Sequence, residues 1–135
     1  MKPNIFINMP VKDPGKSRAF FAKLGYTFNE KFSSENGVTM IIADNILVMF
    51  SVESLFKELS QKEIPDMEKY SHAGIILEAE SREEVDKMVD LAVEAGGIAR
   101  DDIQDQEFMY GHSFQDLDGH LWEVTWMDPA GFSEQ

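Results

Sequence analysis

Glu123 is the residue of this sequence with the clearest capacity for chemistry. It follows a turn at 116–119, whose sequence is Asp-Leu-Asp-Gly, and it stands in a segment at 121–126 that is otherwise mostly apolar or aromatic. Asp and Gly favour tight turns because Asp accepts hydrogen bonds from nearby backbone N–H groups and Gly adopts positive φ. A carboxylate among apolar residues is costly unless it has a partner, a metal ion or a wet cavity. The function of the chain depends on which of these Glu123 has.

The residue that faces Glu123 from the preceding strand depends on the geometry of that turn. A plain two-residue loop would pair His112 with Glu123, whereas a type I turn with a glycine bulge would pair Ser113 with it. The Asp-x-Asp-Gly sequence favours the bulged form, so Ser113 is expected to share a pocket with Glu123, together with Gly111 and Gln115. His112 would then turn away. A shift of one residue would reverse all of these assignments.

The composition argues against several classes of function. The 135 residues include 25 Asp and Glu against 12 Lys and Arg, which gives a net charge of −13. This charge disfavours nucleic acid and anionic membranes as partners. There is no cysteine, so disulfides and thiol chemistry do not contribute. With no signal-peptide pattern and no apolar run long enough to cross a bilayer, we expect one cytoplasmic domain, 1–135.

The first half of the chain, 4–51, begins with an alternating pattern at 4–11 that predicts a half-buried strand. Asp13-Pro14 then predicts the start of a helix, and Gly25 its end. The apolar stripe of this helix contains Ser17, Phe20, Phe21 and Leu24. Three further strands are predicted at 26–32, 37–43 and 46–51.

A connector at 52–71 is expected to carry a short helix, which Pro65 prevents from continuing. The second half, 72–127, begins with a strand at 72–79 and a capping box, Ser81-x-x-Glu84. The helix that follows would bury Val85, Met88, Val89 and Ala92 and end at Gly96. Strands are predicted at 98–103, 108–115 and 120–127, with Trp122 and Trp126 facing the helix.

Both halves therefore have the order strand, helix, three strands. The helix caps Asp13 and Ser81 lie about half the chain apart, and so do the terminating glycines Gly25 and Gly96. Two βαβββ modules in an α+β fold describe this repeat most simply. An unrelated α+β domain with chance recurrence of strand–helix pairs is the alternative.

Two motifs carry a resemblance to a known family. They are Val11-x-Asp13-x-x-x-Ser17-x-x-Phe20-Phe21-x-x-Leu24-Gly25 and Asp116-x-Asp118-Gly119-x-x-x-Glu123. With the paired βαβββ layout, they make the chain resemble the vicinal oxygen chelate superfamily of glyoxalase I, extradiol dioxygenases, and fosfomycin- and bleomycin-resistance proteins. The resemblance implies modules that curl into half-barrels around a cavity, and active members that usually work as homodimers.

The resemblance also implies a divalent metal, Zn, Ni, Mn or Fe, with an open coordination position for two vicinal substrate oxygens. Glu123 matches the last ligand of the family, and His72 matches the ligand that opens the second module. The position of a first-strand ligand holds Phe6, which has no donor atom, with Asn8 one pleat further on. Where glyoxalases have another carboxylate, this sequence has Val48, Met49 and Phe50.

Two main functions follow from the resemblance. The first is a metal-dependent lyase or dioxygenase-like enzyme, in which Glu123 is a metal ligand or general base and His72 a second ligand. The second is a metal-free protein of the bleomycin-resistance type that sequesters a small, cationic ligand, which suits the acidic chain. With either function, the pocket is expected to be lined by Phe6, Asn8, Met49 and Ser113. A regulatory module with a vestigial cavity is a third possibility.

Overall fold

Two units, each with its own β-sheet, make up the fold. The computed structural model describes residues 3–71 and 73–132. The chain divides into one unit that ends at Pro65 and a second that begins at Asp66. No helix within the described ranges is long and apolar enough to span a membrane.

The described residues of the first unit form four strands and two α-helices. In chain order they are β1 (Ile5–Val11), α1 (Pro14–Lys23), β2 (Thr27–Phe28), β3 (Gly37–Ala43), β4 (Ile46–Val52) and α2 (Glu53–Ser60), with a 3-10 helix at Glu30–Phe32 between β2 and β3. The strand order is β1-β4-β3-β2. β1 runs parallel to β4, and the other pairs are antiparallel.

Helix α1 forms where its caps predict it. The side chain of Asp13 accepts a hydrogen bond from the Lys16 backbone N–H at 3.2 Å, and Gly25 follows the helix with φ +100°. The predicted stripe is buried, and the Phe21 ring stacks on Phe50 of β4 at 5.0 Å. Burial of this stripe holds α1 on one face of the first sheet.

The second unit repeats this plan with one additional short strand. Its elements are β5 (Gly74–Ala79), α3 (Arg82–Glu94), β6 (Ile98–Ala99), β7 (Gln104–Gln106), β8 (Met109–Gln115), β9 (Leu121–Met127) and α4 (Pro129–Phe132). The strand order is β5-β9-β8-β6, and β7 also pairs with β8. β5 is parallel to β9, and α3 packs against β8 and β9.

Helix α3 begins with a modified capping box. The Ser81 hydroxyl accepts from the Glu84 N–H at 3.1 Å, as predicted. The Glu84 carboxylate, however, accepts from the backbone N–H of Glu80 at 2.9 Å, one residue earlier than in the standard motif. Gly96, with φ +111°, follows the last turn. The side chains of Val85 and Val89 are buried against the sheet.

The α+β class with two βαβββ modules is confirmed, but two predicted strands are too long. The prediction at 26–32 was wrong beyond β2, because Asn29 caps a 3-10 helix by accepting from the Lys31 N–H at 3.0 Å. The prediction at 98–103 was wrong beyond β6, because the chain turns at Asp101, whose carbonyl accepts from the Ile103 N–H, and then forms β7. Within the described ranges neither sheet closes on itself.

Candidate functional site

The turn before Glu123 has the bulged form. Gly119 has φ +84°, and its N–H donates to the carbonyl of Asp116 at 3.2 Å. The Asp116 N–H in turn donates to the carbonyl of His120 at 3.0 Å. This geometry places Ser113 opposite Glu123 in the β8–β9 ladder, so the predicted register is confirmed.

Asp116 stabilises this turn from inside the protein. One of its oxygens, Oδ1, accepts from the N–H groups of Asp118 at 2.9 Å and His120 at 3.0 Å. The other, Oδ2, accepts from the indole Nε1 of Trp122 at 2.9 Å. Burial raises the pKa of Asp116, and this effect outweighs the nearby charge of His120 and the three N–H donors, which lower it. Asp116 therefore fixes where β9 begins, and with it the position of Glu123.

A cavity of about 250 Å³ lies on the face of the second sheet opposite α3. Alternation along the strands explains its walls, because every second residue points to the same face. Strand β9 supplies Glu123, Thr125 and Met127, and β8 supplies Met109, Gly111 and Ser113. The remaining lining residues are Ile76 of β5, Gln104 of β7, Asp102 and His112.

Glu123 lies between Ser113 on β8 and Ile76 on β5 in the strand register. Its side chain is half-buried, and Ser113 is 5% exposed. Among the described residues, the cavity lining contains no lysine or arginine, and Asp102 is its second carboxylate. A partly desolvated carboxylate beside apolar walls attracts a cationic or hydrogen-bond-donating group, because charge interactions strengthen as water is removed.

His112 lines the cavity and Gln115 does not, which is the reverse of what the sequence predicts for these two residues. His112 contributes to the cavity lining, although alternation puts its side chain on the other face of β8. Its ring Nε2 is 2.9 Å from the carbonyl oxygen of Arg100. Since a carbonyl only accepts, Nε2 must carry a hydrogen. Gln115, which was expected to face the pocket, is not part of the lining and pairs with Leu121 at the end of β8.

The predicted pocket residues Phe6, Asn8 and Met49 all belong to the first unit. Phe6 is 45% exposed, and its ring packs edge-on against Phe32 at 6.2 Å. Asn8 pairs with Met49 across β1 and β4, and its side-chain oxygen accepts from the Ser51 hydroxyl at 2.7 Å. These residues therefore share one sheet of the first unit, whereas Ser113 and Glu123 share the cavity of the second.

The donor atoms for a metal ion are few. The prediction of His72 as a ligand falls outside the described residues. Within 3–71 and 73–132, no three His, Asp or Glu residues are grouped so that they could hold a metal ion. Phe6, at the position of a family ligand, has no donor atom. The described donors alone therefore do not fit the three-ligand site that a catalytic metal needs.

Several cavity residues were not predicted from the sequence, although strand alternation and strand pairing indicate some of them. Once Ser113 is paired with Glu123, alternation also turns Met109, Thr125 and Met127 to the cavity. Ile76 follows from the parallel pairing of β5 with β9. Asp102 and Gln104 had no such signal, because they lie in a polar stretch with no apolar periodicity.

Solved structures of similar fold support this description. A hypothetical protein from S. aureus is 28% identical, with a TM-score of 0.80 over 93% of this chain and 94% of that one. A glyoxalase/bleomycin resistance protein/dioxygenase family enzyme from Burkholderia phytofirmans PsJN is 17% identical, with a TM-score of 0.77 and coverage of 90% and 96%.

A third similar structure is a mutant of the fosfomycin resistance protein FosX from Listeria monocytogenes, complexed with Mn(II) and 1S,2S-dihydroxypropylphosphonic acid. It is 19% identical, with a TM-score of 0.66 over 92% of this chain and 90% of that one. At this level of identity the likeness concerns the fold alone.

The comparison by sequence gives the family. No curated protein matches the chain. The family model described as Glyoxalase/Bleomycin resistance protein/Dioxygenase superfamily matches residues 5–124, which include the first module, most of the second and the turn before Glu123. The chain belongs to the glyoxalase/bleomycin resistance protein/dioxygenase superfamily.

Proposed function

We propose that this protein binds a small organic cation in the cavity of its second unit, with the cationic group against Glu123. The observation that carries the proposal is a half-buried carboxylate in a cavity whose lining, as far as the structure describes the chain, has no lysine or arginine. Ile76, Met109 and Met127 supply apolar surface for the rest of the ligand. Few polar groups placed in an otherwise apolar concavity are typical of small-molecule sites.

The size of the cavity limits the ligand. A volume of about 250 Å³ corresponds to about eight water molecules, at about 30 Å³ each. Such a space admits a small molecule or one group of a larger ligand. The two methionines add adaptable walls, because their unbranched thioether chains change rotamer easily. The site therefore suits an amine attached to a compact apolar group.

The experiment compares matched ligands and matched variants. Benzylamine carries a positive charge on an apolar ring, and benzyl alcohol has nearly the same shape without the charge. We expect benzylamine to raise the melting temperature of the wild-type protein more than benzyl alcohol does. Glu123→Gln should reduce benzylamine affinity about tenfold to a hundredfold, the equivalent of one charge-assisted hydrogen bond.

Glu78→Gln is the matched control for Glu123→Gln. Glu78 is an exposed glutamate on β5, pairs with Thr125 of β9, and does not line the cavity. Both variants change the net charge by the same amount, so a general effect of protein charge would appear in both. Equal loss of benzylamine binding in the two variants, or equal binding of the amine and the alcohol, would contradict the proposal.

The alternative function is a divalent-metal-dependent lyase or dioxygenase-like enzyme with Glu123 and His72 as metal ligands. It is supported by membership of the superfamily and by the position of Glu123 after the turn glycine. The similar FosX structure is a complex with Mn(II). Metal analysis of untagged protein after incubation with Zn, Ni, Mn and Fe tests it. Stoichiometric metal that is lost in both Glu123→Ala and His72→Ala would favour the enzyme over the metal-free binding protein.

The assembly and location of the protein are part of the same proposal. We infer a cytoplasmic homodimer, as the family resemblance and the sequence predict, with no nucleic-acid partner because of the net charge of −13. Light scattering of the purified protein across a concentration series tests the dimer, and a monomer at all concentrations would contradict it.

A further inference from the structure

One wall of the cavity depends on a strand that has little support of its own. Strand β7 is three residues long, all three are exposed, and its pairing partner is β8. It nevertheless supplies Gln104 to the cavity, and Asp102 precedes it in the lining. Strands in globular proteins are typically five or six residues long, and a short edge strand is easily displaced.

Arg82, the first residue of α3, holds β7 from the opposite face of the sheet. Its guanidinium donates from Nη1 to the Asp105 carboxylate and from Nη2 to the Gln106 carbonyl, each at 2.6 Å. The same group lies 5.2 Å from the centroids of the Tyr110 and Trp126 rings. One guanidinium thus contacts the edge strand β7, its partner β8, and β9 on the far side of β8.

The register shows how this contact reaches the cavity. Asp105, Tyr110 and Trp126 form one cross-strand row, and Gln104 with Gly111 belongs to the adjacent row. Because neighbouring residues of a strand face opposite sides, Asp105 points to Arg82 while Gln104 points to the cavity. Fixing the backbone at Asp105 and Gln106 therefore also fixes the position of Gln104.

We propose that Arg82 is a positioning residue of the ligand cavity, acting through β7. The inference rests on the proposed function, because the cavity wall matters only if the cavity binds a ligand. This contact needs a planar guanidinium, because the group donates to two acceptors of β7 and stacks on the Tyr110 and Trp126 rings. The ammonium group of a lysine is a compact charge that cannot make the same set of contacts. The Arg82 side chain is 36% exposed, so its ion pair adds little to global stability. The effect should therefore be local.

Arg82→Lys tests the proposal, and Arg18→Lys is its matched control. In the first unit, Arg18 donates from Nη1 and Nη2 to the Glu30 carboxylate and lies 5.2 Å from the Phe28 ring centroid. Arg18 does not line the cavity. Hydrogen exchange followed by mass spectrometry should show amides of 104–106 exchanging about tenfold faster in Arg82→Lys. Exchange in α3 and β9, and the melting temperature, should stay close to wild type.

Binding of benzylamine by calorimetry supplies the second readout. We expect Arg82→Lys to bind it about fivefold more weakly than wild type, and Arg18→Lys to bind it as wild type does. Asp105→Asn should weaken binding similarly, and the double variant Arg82→Lys/Asp105→Asn should add little, because both changes break the same contact.

The outcomes separate this inference from the proposed function. Wild-type affinity in Arg82→Lys, together with loss of binding in Glu123→Gln, would overturn the positioning role and leave the proposed function standing. Unchanged exchange at 104–106 would overturn it as well. If wild-type protein binds benzylamine no better than Glu123→Gln does, the proposed function fails, and the inference fails with it.

Discussion

Replacement of Asp116 should destabilise the second unit in a graded way. In Asp116→Asn, the amide oxygen can still accept from the N–H groups of Asp118 and His120, but the amide nitrogen cannot accept from the Trp122 indole. A hydrogen bond to a charged group contributes about 1.5–3 kcal/mol. Since a neutral amide is less costly to bury than a carboxylate, we expect a net loss of about 1–2 kcal/mol.

Asp116→Ala removes the acceptor for all three donors at once. Trp122 is 0% and His120 2% exposed, so the loss occurs where water does not easily replace the carboxylate. We expect a free energy of unfolding about 3–4 kcal/mol below that of wild type. Urea unfolding followed by tryptophan fluorescence measures this directly, because Trp122 and Trp126 both lie in the second unit.

The pH dependence of these variants has a definite sign. Burial raises the pKa of Asp116 in the folded protein above the unfolded value of about 3.9. The folded state therefore binds this proton more tightly, and the resulting stabilisation is fully present below the unfolded pKa. It is lost as the pH rises through the folded pKa. Asp116→Asn has no such proton, so the stability advantage of wild type over this variant should shrink from about pH 4 upward.

The control is Asp66→Asn, in an exposed turn where Asp66 accepts from the Glu68 N–H at 3.0 Å. This change should alter stability by less than about 0.5–1 kcal/mol. Two results would refute the reasoning. The first is an equal loss of unfolding free energy in Asp116→Asn and Asp116→Ala. The second is a stability advantage of wild type over Asp116→Asn that grows as the pH rises. The second result would mean that the N–H donors, rather than burial, determine the pKa of Asp116.

Three further changes test individual features. Gly111→Ala should weaken benzylamine binding in calorimetry, because the new Cβ would stand 3.2 Å from Thr125 Oγ1 at the cavity wall. The protein should stay folded, because the φ of Gly111 suits alanine. Unchanged affinity would contradict this. Gly119→Ala should cost about 1–3 kcal/mol in urea unfolding, since φ is +84° and the Cβ would meet Met67 at 3.1 Å, and wild-type stability would argue against the bulged turn. Ser81→Ala should cost about 1 kcal/mol by losing the N-cap of α3, and a cost near zero would assign the cap to Glu84 alone.

Much of the fold could be predicted because local signals agree with the tertiary structure. Asp13, Ser81 and the positive-φ glycines Gly25 and Gly96 mark helix ends by interactions within a few residues. The register of β8 and β9 followed from the turn type alone, since Gly119 permits the bulge. These features depend on interactions within short segments of the chain, so the local sequence is enough to predict them.

The remaining features depend on contacts between distant segments. Strand β7 has the sequence Gln-Asp-Gln, without alternation or β-branched residues. Its observed interactions are with distant segments, since it pairs with β8 and its Asp105 accepts from Arg82. The sequence likewise marked Glu123 but not Gln104, because the path of the chain after β6 was not predictable. The roles of Asp116 and Arg82 required the side-chain contacts of the folded protein.

The most direct test of the account locates the ligand in the protein. The chain has eight methionines, and Met109 and Met127 line the cavity of the second unit, whereas Met9, Met40 and Met49 belong to the first. With methyl-¹³C methionine, NMR titration with benzylamine should shift the methyl signals of Met109 and Met127. Glu123→Gln should remove these shifts, and Glu78→Gln should keep them. Shifts confined to methionines of the first unit, or shifts that persist in Glu123→Gln, would contradict the account.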